Sequence, residues 1–238
     1  AELQFHSGQY TDAKINLEKY LSFPRINPSI KEEAEFLLKS AKFAEAQIAS
    51  PLPIKPINMG ERINSAQEEY LPSMSADLKY FIFTRNYLDR RNCENEPDQE
   101  DFCMSVNNEK SVPVIELNSN CNEGAPSLSV AGNFMFFAAC GDQNLVYLGN
   151  NKGYGSCDIF YTEKINGKWT KPQNVGPPIN TANWETQPSF SSDGKTLYFV
   201  RGGSRNHVGD IYFSEIGNDG KFKEPIKLGD NINTLKNE

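Results

Sequence analysis

Three segments of the chain share one internal order, and that order limits what it can fold into more than any other feature. Residues 69–77 read EYLPSMSAD, residues 123–131 EGAPSLSVA and residues 185–193 ETQPSFSSD. Each leads into an aromatic-rich stretch, at 79–84, 133–138 and 195–200. A variable loop follows, and then a short run opened by aspartate: Asp101–Ser105, Asp158–Thr162 and Asp210–Ser214. The units lead into a Gly-x-x-Ile-Asn phrase, present at Gly60–Asn64, Gly176–Asn180 and Gly229–Asn233, with a degenerate copy expected around Asn118–Asn122.

The physical chemistry of each part points to a strand. Asp193-Gly194 suits a tight hairpin turn between the first and second strands. The second stretch is apolar at nearly every residue, as expected where both faces of a strand are covered. An aspartate opening the third strand can accept hydrogen bonds from nearby backbone at a corner. Four short strands in a unit of roughly fifty to sixty residues, repeated, predict β-propeller blades. Residues 57–238 hold three such blades, and Leu228–Glu238 would open a fourth. A closed propeller needs about four blades or more, so the sequence is expected to be a portion of a longer protein.

Residues 1–50 follow another period. Ala13, Leu17, Tyr20 and Leu21 recur at helical steps, as do Ala34, Leu37, Leu38, Ala41 and Ala44. Pro51, Pro53 and Pro56 make residues 51–56 a stiff linker. The predicted fold class is mainly β with an α-helical N-terminal segment. So short a helical run buries little apolar surface by itself.

Composition excludes several functions. The formal net charge is −7 and the pI about 5.1, with no cluster of Lys and Arg of the kind that grips nucleic acid. No apolar run approaches the roughly 18 residues of a membrane span. The two histidines, His6 and His207, cannot build a multi-imidazole metal site, and no zinc spacing occurs. Gly194-Lys195-Thr196 lacks the upstream glycine of a phosphate loop, and no G-x-S-x-G elbow is present. The expectation is therefore no enzyme, no cofactor and no resident metal. The acidic run Glu94–Asp101 leaves two readings open, a Ca²⁺ loop or a solvated one.

Two sets of residues are candidates for specific roles. Arg85 and Arg201 follow second strands while Asp101 and Asp210 open third strands, so Arg85–Asp101 and Arg201–Asp210 are predicted ion pairs tying the hairpin. Cys93 with Cys103, and Cys140 with Cys157, bracket equivalent loops of the first and second units. That parallel allows two loop-stapling disulfides with Cys121 free, or alternatively five reduced thiols.

The stretches Glu185–Phe199 and Gly153–Phe160 resemble the TolB-type propeller repeat. Gly8–Ala13 with Leu17 and Tyr20-Leu21 resembles the second helix of a tetratricopeptide repeat, a plain amphipathic helix pair being the other reading. The combination is similar to outer-membrane-associated periplasmic proteins of Bacteroidetes, the PorE-like components linked to type IX secretion and gliding. This resemblance implies a periplasmic scaffold near the outer membrane that binds envelope or secretion-system proteins. Such proteins commonly end in an OmpA-like domain; residues 1–238 contain no such motif, so any peptidoglycan binding is expected through a domain outside this sequence and attaches to no residue of it. The loop from Tyr87 to Glu100 is the expected contact surface. A rival expectation is a small-ligand or glycan sensor, with Tyr154 and Trp184 stacking on sugar rings.

Overall fold

The structure, a computed structural model, describes residues 1–87, 99–141, 146–147, 151–202 and 209–234. It is mainly β with a few N-terminal helices, and it divides into two compact units, Ala1–Asn58 and Met59–Glu238.

The first unit contains α1 (Glu2–His6), α2 (Tyr10–Leu21) and α3 (Pro28–Ala49). Gly8 makes the turn between α1 and α2 at φ +76°, a conformation costly for any residue with a Cβ. Asn27 caps α3 by accepting from Ser29 N at 3.0 Å, and Pro28 occupies a position where no N–H is needed. Ala13 and Leu17 of α2 and Ala34 and Ala41 of α3 are buried, the alanines letting the helices approach closely. Lys14 pairs with Glu45, and Lys42 with Glu18 at 2.8 Å, across the same seam. Phe36, Phe43 and Ile48 stay exposed, so this unit buries little apolar surface, as its length implied. No helix among the described residues is long and apolar enough to cross a membrane.

The second unit holds three antiparallel sheets. The first runs in meander order through β1 (Glu68–Met74), β2 (Tyr80–Tyr87), β3 (Gln99–Val106) and β4 (Val112–Pro113). The second begins with β5 (Glu123–Leu128) and β6 (Phe134–Cys140). A separate hairpin follows, of β7 (Val146–Tyr147) and β8 (Asn151–Lys152), which the sequence did not announce. The sheet resumes at β9 (Cys157–Ile165), which pairs with both β10 (Lys168–Trp169) and β11 (Gln173–Asn174). The third is another meander, β12 (Trp184–Phe190), β13 (Thr196–Gly202), β14 (Asp210–Glu215) and β15 (Ile226–Lys227).

Each part of the repeated phrase has a structural task. Pro72, Pro126 and Pro188 lie on the edge strands β1, β5 and β12, inside a register shift where a missing N–H costs nothing. The residues before them, Leu71, Ala125 and Gln187, adopt positive φ of 49°, 53° and 49°. The serine after the proline joins neighbouring sheets: Ser73 Oγ accepts from Leu128 N, and Ser127 Oγ from Phe190 N, each at 2.9 Å. The second serine closes its own hairpin, Ser75 Oγ accepting from Tyr80 N at 2.9 Å and Ser191 Oγ from Thr196 N at 2.9 Å.

The core is interleaved between sheets. Ile82 and Phe102 of the first, with Leu117 from the turn that follows it, pack with Met135, Phe137 and Phe160 of the second. Phe136 and Ile159 of the second pack with Leu197 and Phe199 of the third. The degenerate copy of the closing phrase is shifted from its expected place. It is Val114–Asn118, where the N–H groups of Leu117 and Asn118 both turn back to Val114 O as those of Ile179 and Asn180 do to Gly176 O.

Candidate functional site

The charged residues of the repeat are placed by strand register. Arg85 stands opposite both Glu69 on β1 and Asp101 on β3, and Arg201 opposite both Glu185 and Asp210. The predicted ion pairs with aspartate are corrected here. Arg85 Nε donates to Glu69 Oε1 at 2.9 Å, and Arg201 Nε to Glu185 Oε1 at 2.9 Å. The reason lies in the rest of the guanidinium. Its other arm reaches the carbonyls of the closing turn, Ile63 O at 2.8 Å for Arg85, and Pro178 O at 3.0 Å and Ile179 O at 2.7 Å for Arg201. On the glutamate flank one planar fork satisfies both. Asp210 instead meets Lys227 Nζ at 2.8 Å, and Asp101 accepts from Gln99 Nε2 at 3.0 Å.

The aspartate opening β9 does serve backbone: Asp158 accepts from Tyr154 N at 2.8 Å and Gly155 N at 3.1 Å. The closing asparagine recurs in the sequence with no role that its spacing reveals. Asn180 Oδ1 accepts from Ile159 N and its Nδ2 donates to Ile159 O, both at 2.8 Å, and Asn118 and Asn233 grip Phe102 and Ile211 likewise. Asn180→Ala leaves a buried N–H without its acceptor and is expected to cost about 2 kcal/mol in urea unfolding. A loss below about 0.5 kcal/mol would show that the clamp is dispensable.

The second sheet lacks the arginine. Glu123 on β5 faces Ala139 on β6. The carboxyl group is fully buried and takes hydrogen bonds from Ser119, through its hydroxyl and through its N–H at 2.9 Å. Burial pushes its pKa up to about 8 against the pull of those bonds, and nearby Asp101 and Glu100 add to the rise.

Cys140 and Cys157 are cross-strand partners at the loop end of the β6–β9 ladder and form a disulfide, with Cα atoms 4.0 Å apart. Cys103 is not disulfide-bonded, contrary to the predicted bridge to Cys93, which lies outside the described residues. Its register explains the difference. Cys103 sits opposite Phe83, well inside the β2–β3 ladder, and packs in a core cluster with Ile63. Burial raises its thiol pKa, so it is a poor thiolate. Cys121 is also outside any disulfide.

The edge strands of the three sheets converge. Leu71–Ser73, Ala125–Ser127 and Gln187–Ser189 line one hollow of about 240 Å³. Beside it lies a larger hollow of about 510 Å³, which shares Leu71, Ala125 and Gln187 in its wall. Tyr70, Glu100, Asn122, Trp184 and the Cys140–Cys157 disulfide also line it. Tyr70 donates its hydroxyl hydrogen to Glu100, and Asn122 Oδ1 accepts from Glu100 N at 3.0 Å. Trp184 is 37% exposed and lies against Gly202, where an added Cβ would come within 2.8 Å of the indole. A carboxylate, an amide, a phenol and an indole in one hollow can hold a polyol by hydrogen bonds and stacking. Tyr154, expected to act with Trp184, is not part of that wall. Among the described residues no His, Cys, Asp and Glu side chains group as a metal site. The expected contact loop lies largely outside the described residues, as do His207 and most of the acidic run.

No family model matches the sequence, and no curated relative aligns with it. Among solved structures the chain is similar to a protein assigned as TolB from Agrobacterium tumefaciens, with TM-score 0.45 and 14% identity over 70% of this chain and 51% of that one. The β-propeller domain of the Trilobed protease from Pyrococcus furiosus gives TM-score 0.42 and 8% identity over 68% and 43%. Trypanosoma rangeli sialidase gives TM-score 0.39 and 13% identity over 68% and 32%. The chain thus spans about half or less of the length of these structures.

Proposed function

We propose that this chain is a non-enzymatic binding scaffold, with three TolB-like propeller blades behind a tetratricopeptide-like helical segment. It works in the periplasm near the outer membrane and binds envelope proteins, a type IX secretion or gliding complex being the specific setting the sequence resemblance suggests. The observation that carries the reading is the use of the repeat's polar residues. Glu69, Glu185, Arg85 and Arg201 lock strands to turns, and Asn118, Asn180 and Asn233 clamp third strands. Groups tied down in this way build a rigid frame, and recognition falls to the loops between strands. Affinity capture from native envelope fractions, followed by identification of the bound proteins, is expected to recover cell-envelope proteins in stoichiometric amounts. Recovery of cytoplasmic proteins alone would overturn the reading.

The hollow beside Trp184 favours a second reading, a glycan-binding sensor. A glycan array should then show binding that Trp184→Ala weakens by at least about tenfold, the scale expected for losing one stacked ring, with the melting transition retained. Equal binding by the variant and the native chain would dismiss it.

A further inference from the structure

Equivalent positions form the two clefts between successive sheets, and the second is left open. In the first cleft Lys164 lies over Tyr80, 3.8 Å from the ring centroid, and 5.2 Å from the centroid of Trp169, which is buried. Lys164 and Trp169 are cross-strand partners on β9 and β10. The corresponding pair of the third sheet is Ile216 and Phe222, joined by the same antiparallel bridge. Gly167-Lys168-Trp169 and Gly220-Lys221-Phe222 mark the correspondence in sequence. A lysine and an indole are thus replaced by a shorter aliphatic chain and a smaller ring, and less side chain is available to fill the space.

A cavity of about 600 Å³ remains between the second and third sheets, well within the range of small-molecule sites. Phe134, Phe136, Tyr161, Phe190 and Phe222 supply rings to its wall. Phe136 meets Phe190 and Phe222 nearly edge to face, with centroids 5.0 and 6.0 Å away, so ring faces and edges are both presented to a guest. The Tyr161 hydroxyl is already donated to Gln173 at 2.8 Å, leaving the interior apolar. Lys221 is the one charged residue among the described residues of the wall. Its ammonium forms no ion pair among the described residues, although the chain carries an excess of carboxylates.

We propose that this cleft is a binding site for a flat, ring-bearing organic anion, whose rings enter between the phenylalanines while its anionic group meets Lys221. The site is separate from the hollow at Trp184 and goes beyond the scaffold reading. Burial of the rings supplies most of the affinity, and the charge-assisted contact at the rim sets the orientation.

The probe is 8-anilinonaphthalene-1-sulfonate, titrated into the full chain by fluorescence and calorimetry. One saturable site is expected. The double substitution Ile216→Lys with Phe222→Trp copies the filled cleft and should weaken binding by at least about tenfold. Lys221→Ala should weaken the sulfonate several-fold and leave the uncharged anilinonaphthalene unaffected. No saturable binding, or unchanged affinity in a double variant that keeps the native melting transition, would overturn the proposal. Should the double variant not melt cooperatively, Phe222→Trp alone decides. Energy transfer to the bound probe should exceed that from Trp169 and Trp184, and transfer equal to the native level would place the probe elsewhere.

Discussion

Arg201→Met is expected to destabilise the chain by about 3–5 kcal/mol in urea unfolding, the range for stripping one partner from a buried ion pair. Glu185 has a fully buried side chain, and Arg201 is 15% exposed. Without the guanidinium the carboxylate keeps only its bonds from Thr181, at 3.0 Å from the N–H and 2.6 Å from the hydroxyl. The carbonyls of Pro178 and Ile179 lose their donor in the same step. The ring contacts of the guanidinium with Phe199 and Tyr212, at 5.3 and 5.0 Å, go as well. Arg85→Met should cost less, because Glu69 is 12% exposed and can recover some hydration. Adding Glu185→Met to Arg201→Met should restore much of the loss, since the cost lies in the orphaned charge rather than in the pair itself. A loss under about 1 kcal/mol for Arg201→Met would contradict this account.

Glu123 is expected to make stability fall as pH rises. In the unfolded chain it titrates near its ordinary 4.5, and in the folded chain near 8. Between these values the folded state keeps a proton that the unfolded state has released, so each rise of one pH unit costs at most about 1.4 kcal/mol. Below about pH 4.5 both states are protonated and the penalty vanishes. Glu123→Gln replaces the neutral acid by a neutral amide. The variant should therefore lose this slope, match the native chain near pH 4 and exceed it at pH 8. Parallel stability–pH curves for the two proteins would show that the buried carboxyl does not titrate in this window. The sister sheets do not share the effect by the same route, because an arginine stands where the second sheet has Ala139.

Some of these roles were readable in the chain and some were not. The glutamates opening each repeat were visible at 69, 123 and 185, yet they carried no mark of their partner. Arg85 and Arg201 stand out in the sequence, but there they point to the aspartates that follow the loop, whereas the structure pairs them with Glu69 and Glu185. In register an arginine has a carboxylate on each side, and the one it takes lies on the flank where its other arm meets the turn carbonyls. The cysteines show the same limit. Both pairs bracket equivalent loops, but Cys157 starts its strand whereas Cys103 lies inside one, and ladder depth is invisible in spacing alone.

The open cleft gave no sequence signal by itself. Ile216 and Phe222 look like ordinary core residues, and only their comparison with Lys164 and Trp169 in matching positions exposes the unfilled volume. By contrast, the sequence alone indicated the helix-then-strand division and the first three strands of each repeat, though not the β7–β8 hairpin or the two strands, β10 and β11, that pair with β9. The division and the repeated strands depend on residues close in the chain, on periodicity and on turn chemistry. Tertiary structure decided which charges pair, which thiols meet and where space remains. Such outcomes rest on distances between side chains from different strands and sheets, which differ by a few ångströms among arrangements the same local pattern allows.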